Sequence, residues 1–122
     1  MSTLTLDYTQ RLNLHALIGA QRGSVDDVRL YWKLQDKIEL SDEEREKINF
    51  RVIDVNGQQQ AAWDLVPNAP VEYEFTAEEL SRLSRVIKEW QAGFVAADRR
   101  WLEPLLAQLD HVSTNGNQPK LN

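Results

Sequence analysis

The chain has 122 residues, with 14 Lys or Arg against 19 Asp or Glu, and a formal net charge of −5. That length points to one domain able to bury a core without staples, and the lack of any cysteine excludes disulfides, thiolate metal sites and cysteine nucleophiles. The acidic balance argues against general duplex-DNA binding. With no membrane-length apolar run and no basic-then-apolar start, a cytoplasmic chain without membrane contact is expected.

Residues 3–8 alternate polar and apolar, the period of a short strand. A helix over about Thr9 to Gln21 follows, with Leu14, Leu17 and Ile18 as its core stripe and Gly19 and Gly23 ending it. Ser24 caps a second helix that runs to about Glu39, with Asp26 and Asp27 in the first turn, where the helix dipole favours acids. This helix is apolar on two faces. Leu30, Tyr31, Leu34 and Ile38 point one way. Val25, Val28 and Trp32 point the other way and form a candidate partner interface, suited to a homo-oligomer.

Ser41 and Glu44 make a capping box that opens a short helix ending near Ile48. The period then changes to that of a hairpin. Asn56-Gly57 supplies the turn, Val55 pairs with Gln58, and Val52 lies opposite Ala61. Phe50, Val52, Ala61 and Trp63 are therefore expected on one buried face. A third strand, 71–75, alternates Val71, Tyr73 and Phe75 with Glu72 and Glu74. A capping box at Thr76 and Glu79 opens the most strongly periodic helix, whose stripe reads Leu80, Leu83, Ile87, Trp90 and Phe94 until Gly93 ends or kinks it. Leu102, Leu105, Leu106 and Leu109 mark a last helix, which either starts near Pro104 or begins at Asp98 and kinks at the proline.

These elements predict an α+β, mostly helical fold: four to five helices with a small antiparallel sheet built from the hairpin around Asn56-Gly57 and the strand 71–75. Residues 1–112 are expected to form a single helix-rich domain, and 113–122 a flexible polar tail.

Catalytic motifs are absent. There is no nucleophile elbow and no S-x-x-K, and the pairs Asp26/Asp27, Glu43/Glu44 and Glu78/Glu79 all sit in first helical turns. His15 and His111 lie on different elements without metal-ligand spacing. The expectation is a non-enzyme with no metal and no cofactor. Gly19 to Ser24 has the glycines of a phosphate loop but lacks the lysine and follows a helix, so it reads as a helix stop and cap.

Charge is uneven. Residues 52–81 carry Asp54, Asp64, Glu72, Glu74, Glu78 and Glu79 with no Lys or Arg. Residues 82–100 carry Arg82, Arg85, Lys88, Arg99 and Arg100 against Glu89 and Asp98. Glu78 and Arg82 are placed for an i, i+4 ion pair. Arg85, Lys88, Arg99 and Arg100, with Trp101 as a stacking platform, form a candidate site for a small anion such as a nucleotide.

The first helix ending in glycine, the run of residues 28–44 (VRLYWKLQDKIELSDEE), and the acidic strand entering a helix at Glu72 to Leu80 resemble a group of small tailed-phage and prophage accessory proteins. The resemblance spans about residues 4–109. It implies a non-enzymatic binding protein in the host cytosol, a counter-defence factor that binds a host protein or sequesters an anionic nucleotide signal. The alternative it implies is a structural or packaging accessory acting only through protein contacts.

Overall fold

A computed structural model of the chain describes residues 2–64 and 70–116, with side chains to 112. In chain order its elements are β1 (Ser2–Leu6), α1 (Tyr8–Gly19), α2 (Val25–Ile38), α3 (Asp42–Lys47), β2 (Arg51–Val55), β3 (Gln58–Ala62), β4 (Val71–Phe75), α4 (Ala77–Lys88), a single 3-10 turn at Ala96–Asp98, and α5 (Arg99–Gly116). The fold is α+β and mostly helical. The chain divides into two compact units, one made of residues 1–39 and 70–122 and the other of residues 40–69. No helix among the described residues is long and apolar enough to cross a membrane.

Helix starts follow local chemistry. Asp7, Ser24, Ser41 and Thr76 each accept a hydrogen bond from the backbone N–H three residues on, and the side chain there in turn accepts the cap residue's own N–H. Only Asp7 escapes the sequence reading. It starts α1 at Tyr8 because Gln10 completes the box, its Oε1 accepting the Asp7 N–H at 3.0 Å.

The larger unit holds the core. Leu4 and Leu6 of β1, Leu14 and Ile18 of α1, Leu34 and Ile38 of α2, Phe75 of β4, Leu83 and Ile87 of α4, and Leu105 and Leu109 of α5 form one buried cluster. β4 pairs antiparallel with β1, Thr5 opposite Glu72 and Thr3 opposite Glu74. This separates the strand 71–75 from the hairpin it was expected to join. β1 carries Leu4 and Leu6, both fully buried, so β4 pairs with a strand that is already part of the core, whereas β2 is exposed along its whole length.

Two polar side chains, Arg11 buried and Gln108 half-buried, lock this unit. Arg11 donates from Nε to the Ile38 carbonyl at 3.0 Å and from Nη2 to the Glu39 carbonyl at 2.9 Å, satisfying the exposed end of α2. On α5, Gln108 accepts the Thr5 N–H at 2.7 Å and donates to the Thr5 carbonyl at 2.9 Å, sealing the outer edge of β1.

α4 stops at Lys88, shorter than its apolar stripe. Glu89 and Trp90 donate back to Arg85 and Ile87, and Gly93 adopts φ +75°. Trp90 still packs against the core, but Phe94 is exposed and meets Trp101 edge-on with centroids 6.1 Å apart. α5 begins at Arg99, one residue after the Asp98 start of the second alternative, and carries Pro104 inside it. The helix continues to Gly116, into the segment expected as tail; residues 117–122 of that segment lie outside the described residues.

In the smaller unit, α3 leads into the β2–β3 hairpin. Val55 pairs with Gln58 and Val52 with Ala61, as the turn residues dictate. Asn56 and Gly57 both take positive φ, and Asp54 Oδ1 accepts the Gly57 N–H at 2.9 Å. The expected buried hairpin face is not formed. Val52 is 58% exposed and Ala61 is exposed, while Phe50 and Trp63 are half-buried. Strand alternation predicts burial only where a layer covers the face, and α3 has no buried residue with which to cover it.

Candidate functional site

The chemistry of the larger unit concentrates where the start of α2 meets α4. Asp27, in the first turn of α2, accepts a hydrogen bond from Arg82 Nη1 at 3.1 Å; the same nitrogen lies 3.2 Å from the Tyr31 hydroxyl. The guanidinium carbon sits 5.5 Å from the centre of the Tyr31 ring. The Ser24 N–H, and after it Arg82, hold the Asp27 carboxyl below the usual carboxylate range. Tyr31, then Asp27, raise the affinity of Arg82 for its proton. Arg82 thus turns across to α2 and does not make the solvent-facing i, i+4 pair with Glu78 expected from spacing. A partly buried carboxylate and a phenol outbid an exposed carboxylate.

Behind this pair lies a cleft of about 610 Å³, walled by the turn after α1 and the turn after α4. Gln21 and Arg22 come from the first turn. Arg85, Glu89, Trp90 and Gln91 come from the end of α4 and beyond it, and Tyr31 forms part of the wall. Both turns exist for local reasons: α1 stops at Gly19 and α2 needs Ser24 free as its cap, while α4 unwinds at Glu89. Arg22 and Arg85 are exposed, and neither makes an ion pair among the described residues. Trp90 is half-buried, with its ring packed against the core. The cleft therefore presents two guanidiniums, one carboxylate, two side-chain amides and aromatic surface, a set suited to a small anion with a polar ring.

The residues expected to form the anion site are divided by the fold. Arg85 lines the cleft. Lys88 lies 3.2 Å from Asp110 and Arg99 3.0 Å from Glu103, so both positive charges have acidic partners. Arg100 is exposed and is not among the cleft residues. Trp101 does not stand free as a platform: it packs partly against the core, and its Nε1 donates to Asp98 Oδ1 at 3.1 Å. On the other face of α2, Val25 is 67% and Trp32 57% exposed, with Val28 half-buried.

Sequence reasoning missed Arg22. It lies inside the segment Gly19 to Ser24, whose reading as a helix stop and cap holds, and that stop is what delivers Arg22 to the cleft. His15 Nε2 lies 3.5 Å from Glu39 Oε1, outside the cleft. Among the described residues no group of three or more His, Cys, Asp or Glu is placed to hold a metal ion. No family model, curated protein or solved structure matches this chain.

Proposed function

We propose that the chain is a non-enzymatic binding protein that takes a small organic anion of nucleotide size into the Arg22/Arg85 cleft. The observation that carries this is the convergence of two guanidiniums without ionic partners on one cleft with an indole and a phenol. A phosphate or carboxylate bridges Arg22 and Arg85, a flat ring lies along Trp90, and Glu89 accepts from amino or hydroxyl groups. The volume falls in the ordinary range for small-ligand sites, roughly 300–1,000 Å³. Binding is preferred to catalysis because the cleft lining contains no histidine, serine or threonine to act as base or nucleophile.

Within this reading, the resemblance to tailed-phage and prophage accessory proteins supplies the setting: a counter-defence factor that sequesters a nucleotide signal in the host cytosol. The test is thermal unfolding against a panel of linear and cyclic nucleotides. One nucleotide is expected to raise the midpoint by mass action, and Arg22→Ala and Arg85→Ala to abolish the rise while Arg99→Ala retains it. A flat panel removes the reading.

A second reading is a protein-contact role, for a host protein or as a packaging accessory, through Val25 and Trp32 of α2. Its support is the exposure of both side chains on one helix face. It predicts co-purification of one stoichiometric partner, lost in Trp32→Ala.

A further inference from the structure

We propose that β3 is a self-pairing edge: two copies of this chain join β3 to β3, antiparallel about a two-fold axis, into one four-stranded sheet. The inference rests on the hairpin alone and is independent of the cleft. β2 and β3 pair with each other, and no third strand joins them among the described residues. A two-stranded ribbon is marginal by itself; three or more strands are the usual requirement. Val52, Ile53 and Val55 are 58%, 40% and 37% exposed, and by alternation they lie on both faces of the ribbon.

Among the described residues the edge is unguarded. Soluble proteins protect sheet edges with charges, prolines, bulges or a covering element. β3 reads Gln58-Gln59-Gln60-Ala61-Ala62, with no charge and no proline, and it pairs residue for residue with β2, without a bulge. β1 shows the contrast within the same chain, since Gln108 occupies its outer edge at Thr5. β2, the other edge of the hairpin, carries Arg51 and Asp54.

β3 is also complementary to itself. In a hairpin closed by a two-residue turn, Val55 and Gln58 are the hydrogen-bonded pair, so Gln59 and Ala61 turn their N–H and C=O groups outward. A two-fold axis at Gln60 places Gln59 of each copy opposite Ala61 of the other, which matches those outward groups. It also sets Gln58 opposite Ala62, a long amide over a methyl. At the axis two Gln60 side chains meet, and each both donates and accepts. No like charges are brought together. Pairing leaves the charged β2 strands as the only edges of the new sheet, so the assembly closes at two copies and does not propagate.

The test is sedimentation equilibrium of the full chain from micromolar to millimolar concentration, together with amide exchange over the same range. A monomer–dimer equilibrium is expected, with the Gln59 and Ala61 amides exchanging more slowly as concentration rises. Gln60→Lys sets two ammonium groups against each other at the axis, and Gln59→Pro removes an outward donor; each is expected to give a monomer with unchanged helical circular dichroism. A wild-type monomer throughout overturns the proposal. So does a dimer that survives both substitutions, or one that Trp32→Ala dissociates and Gln60→Lys does not. Because exchange is read on the unaltered chain, a variant with a melted hairpin does not mask the outcome.

Discussion

Lys37 Nζ lies 3.0 Å from Glu79 Oε1, joining the last turn of α2 to the first turn of α4. The same ammonium donates to the Glu74 carbonyl at 2.8 Å and sits 4.7 Å from the centre of the Phe75 ring. Glu79 is buried, and the oxygen that faces Lys37 also closes the Thr76 capping box. One carboxylate thus fixes α4 against both β4 and α2. Glu79→Ala is expected to lower stability by about 2–3 kcal/mol, since it removes the acceptor of the Thr76 N–H and the carboxylate partner of Lys37. Glu79→Gln keeps the cap geometry and is expected to cost less. Urea unfolding of both variants separates the cap from the charge.

The same carboxylate is expected to make stability fall in acid. Burial pushes the Glu79 carboxyl up, but the Thr76 N–H and Lys37 outweigh it, and the net shift is downward. Asp27 is also held low, by the Ser24 N–H and Arg82. A carboxyl with a depressed folded-state pKa contributes stability above its unfolded pKa and loses it as pH falls through the folded one. Stability is therefore expected to be level near neutrality and to fall below about pH 4. Glu79→Gln should flatten part of that fall, which pH-dependent thermal unfolding measures.

Arg11 is buried with its guanidinium on two carbonyls of the α2 end and lies 5.4 Å from the Tyr73 ring centre. Arg11→Ala strands both carbonyls and is expected to cost about 3 kcal/mol. Arg11→Lys is not a rescue, because a single ammonium lacks the planar fork that reaches both acceptors. The unfolding midpoints of the two variants test this.

Gln108 substitutes for a missing neighbour strand at Thr5 through two hydrogen bonds. Gln108→Ala is expected to destabilise by about 1–2 kcal/mol and to speed amide exchange at Thr5 selectively. Exchange at Leu83 in the core helix should change only with global stability.

Trp32→Ala is expected to leave stability within about 0.5 kcal/mol, because the side chain stands clear of the core. Trp90→Ala removes a ring packed on that core and is expected to cost more than 1 kcal/mol. Calorimetry on the pair reports directly which indole is structural.

The elements legible from the residues alone are those whose causes lie within a few positions of one another. Ser24, Ser41 and Thr76 announce their helices because a cap and its partner are three positions apart. Asn56-Gly57 sets the hairpin register because only such residues take positive φ in succession without strain. The spacing of Leu80, Leu83 and Ile87 marks a core face for the same local reason. Tertiary structure alone decided which separate pieces meet. β4 pairs with β1, far away in sequence, because β1 is already part of the core. Arg82 abandons its neighbour Glu78 for Asp27 and Tyr31 because a semi-enclosed partner binds a guanidinium more strongly than an exposed one. Arg22 and Arg85 share a cleft because two helices, each stopped by its own local signals, end beside each other. A sequence encodes each stop within one turn of helix, but the coincidence of two stops is a property of packing.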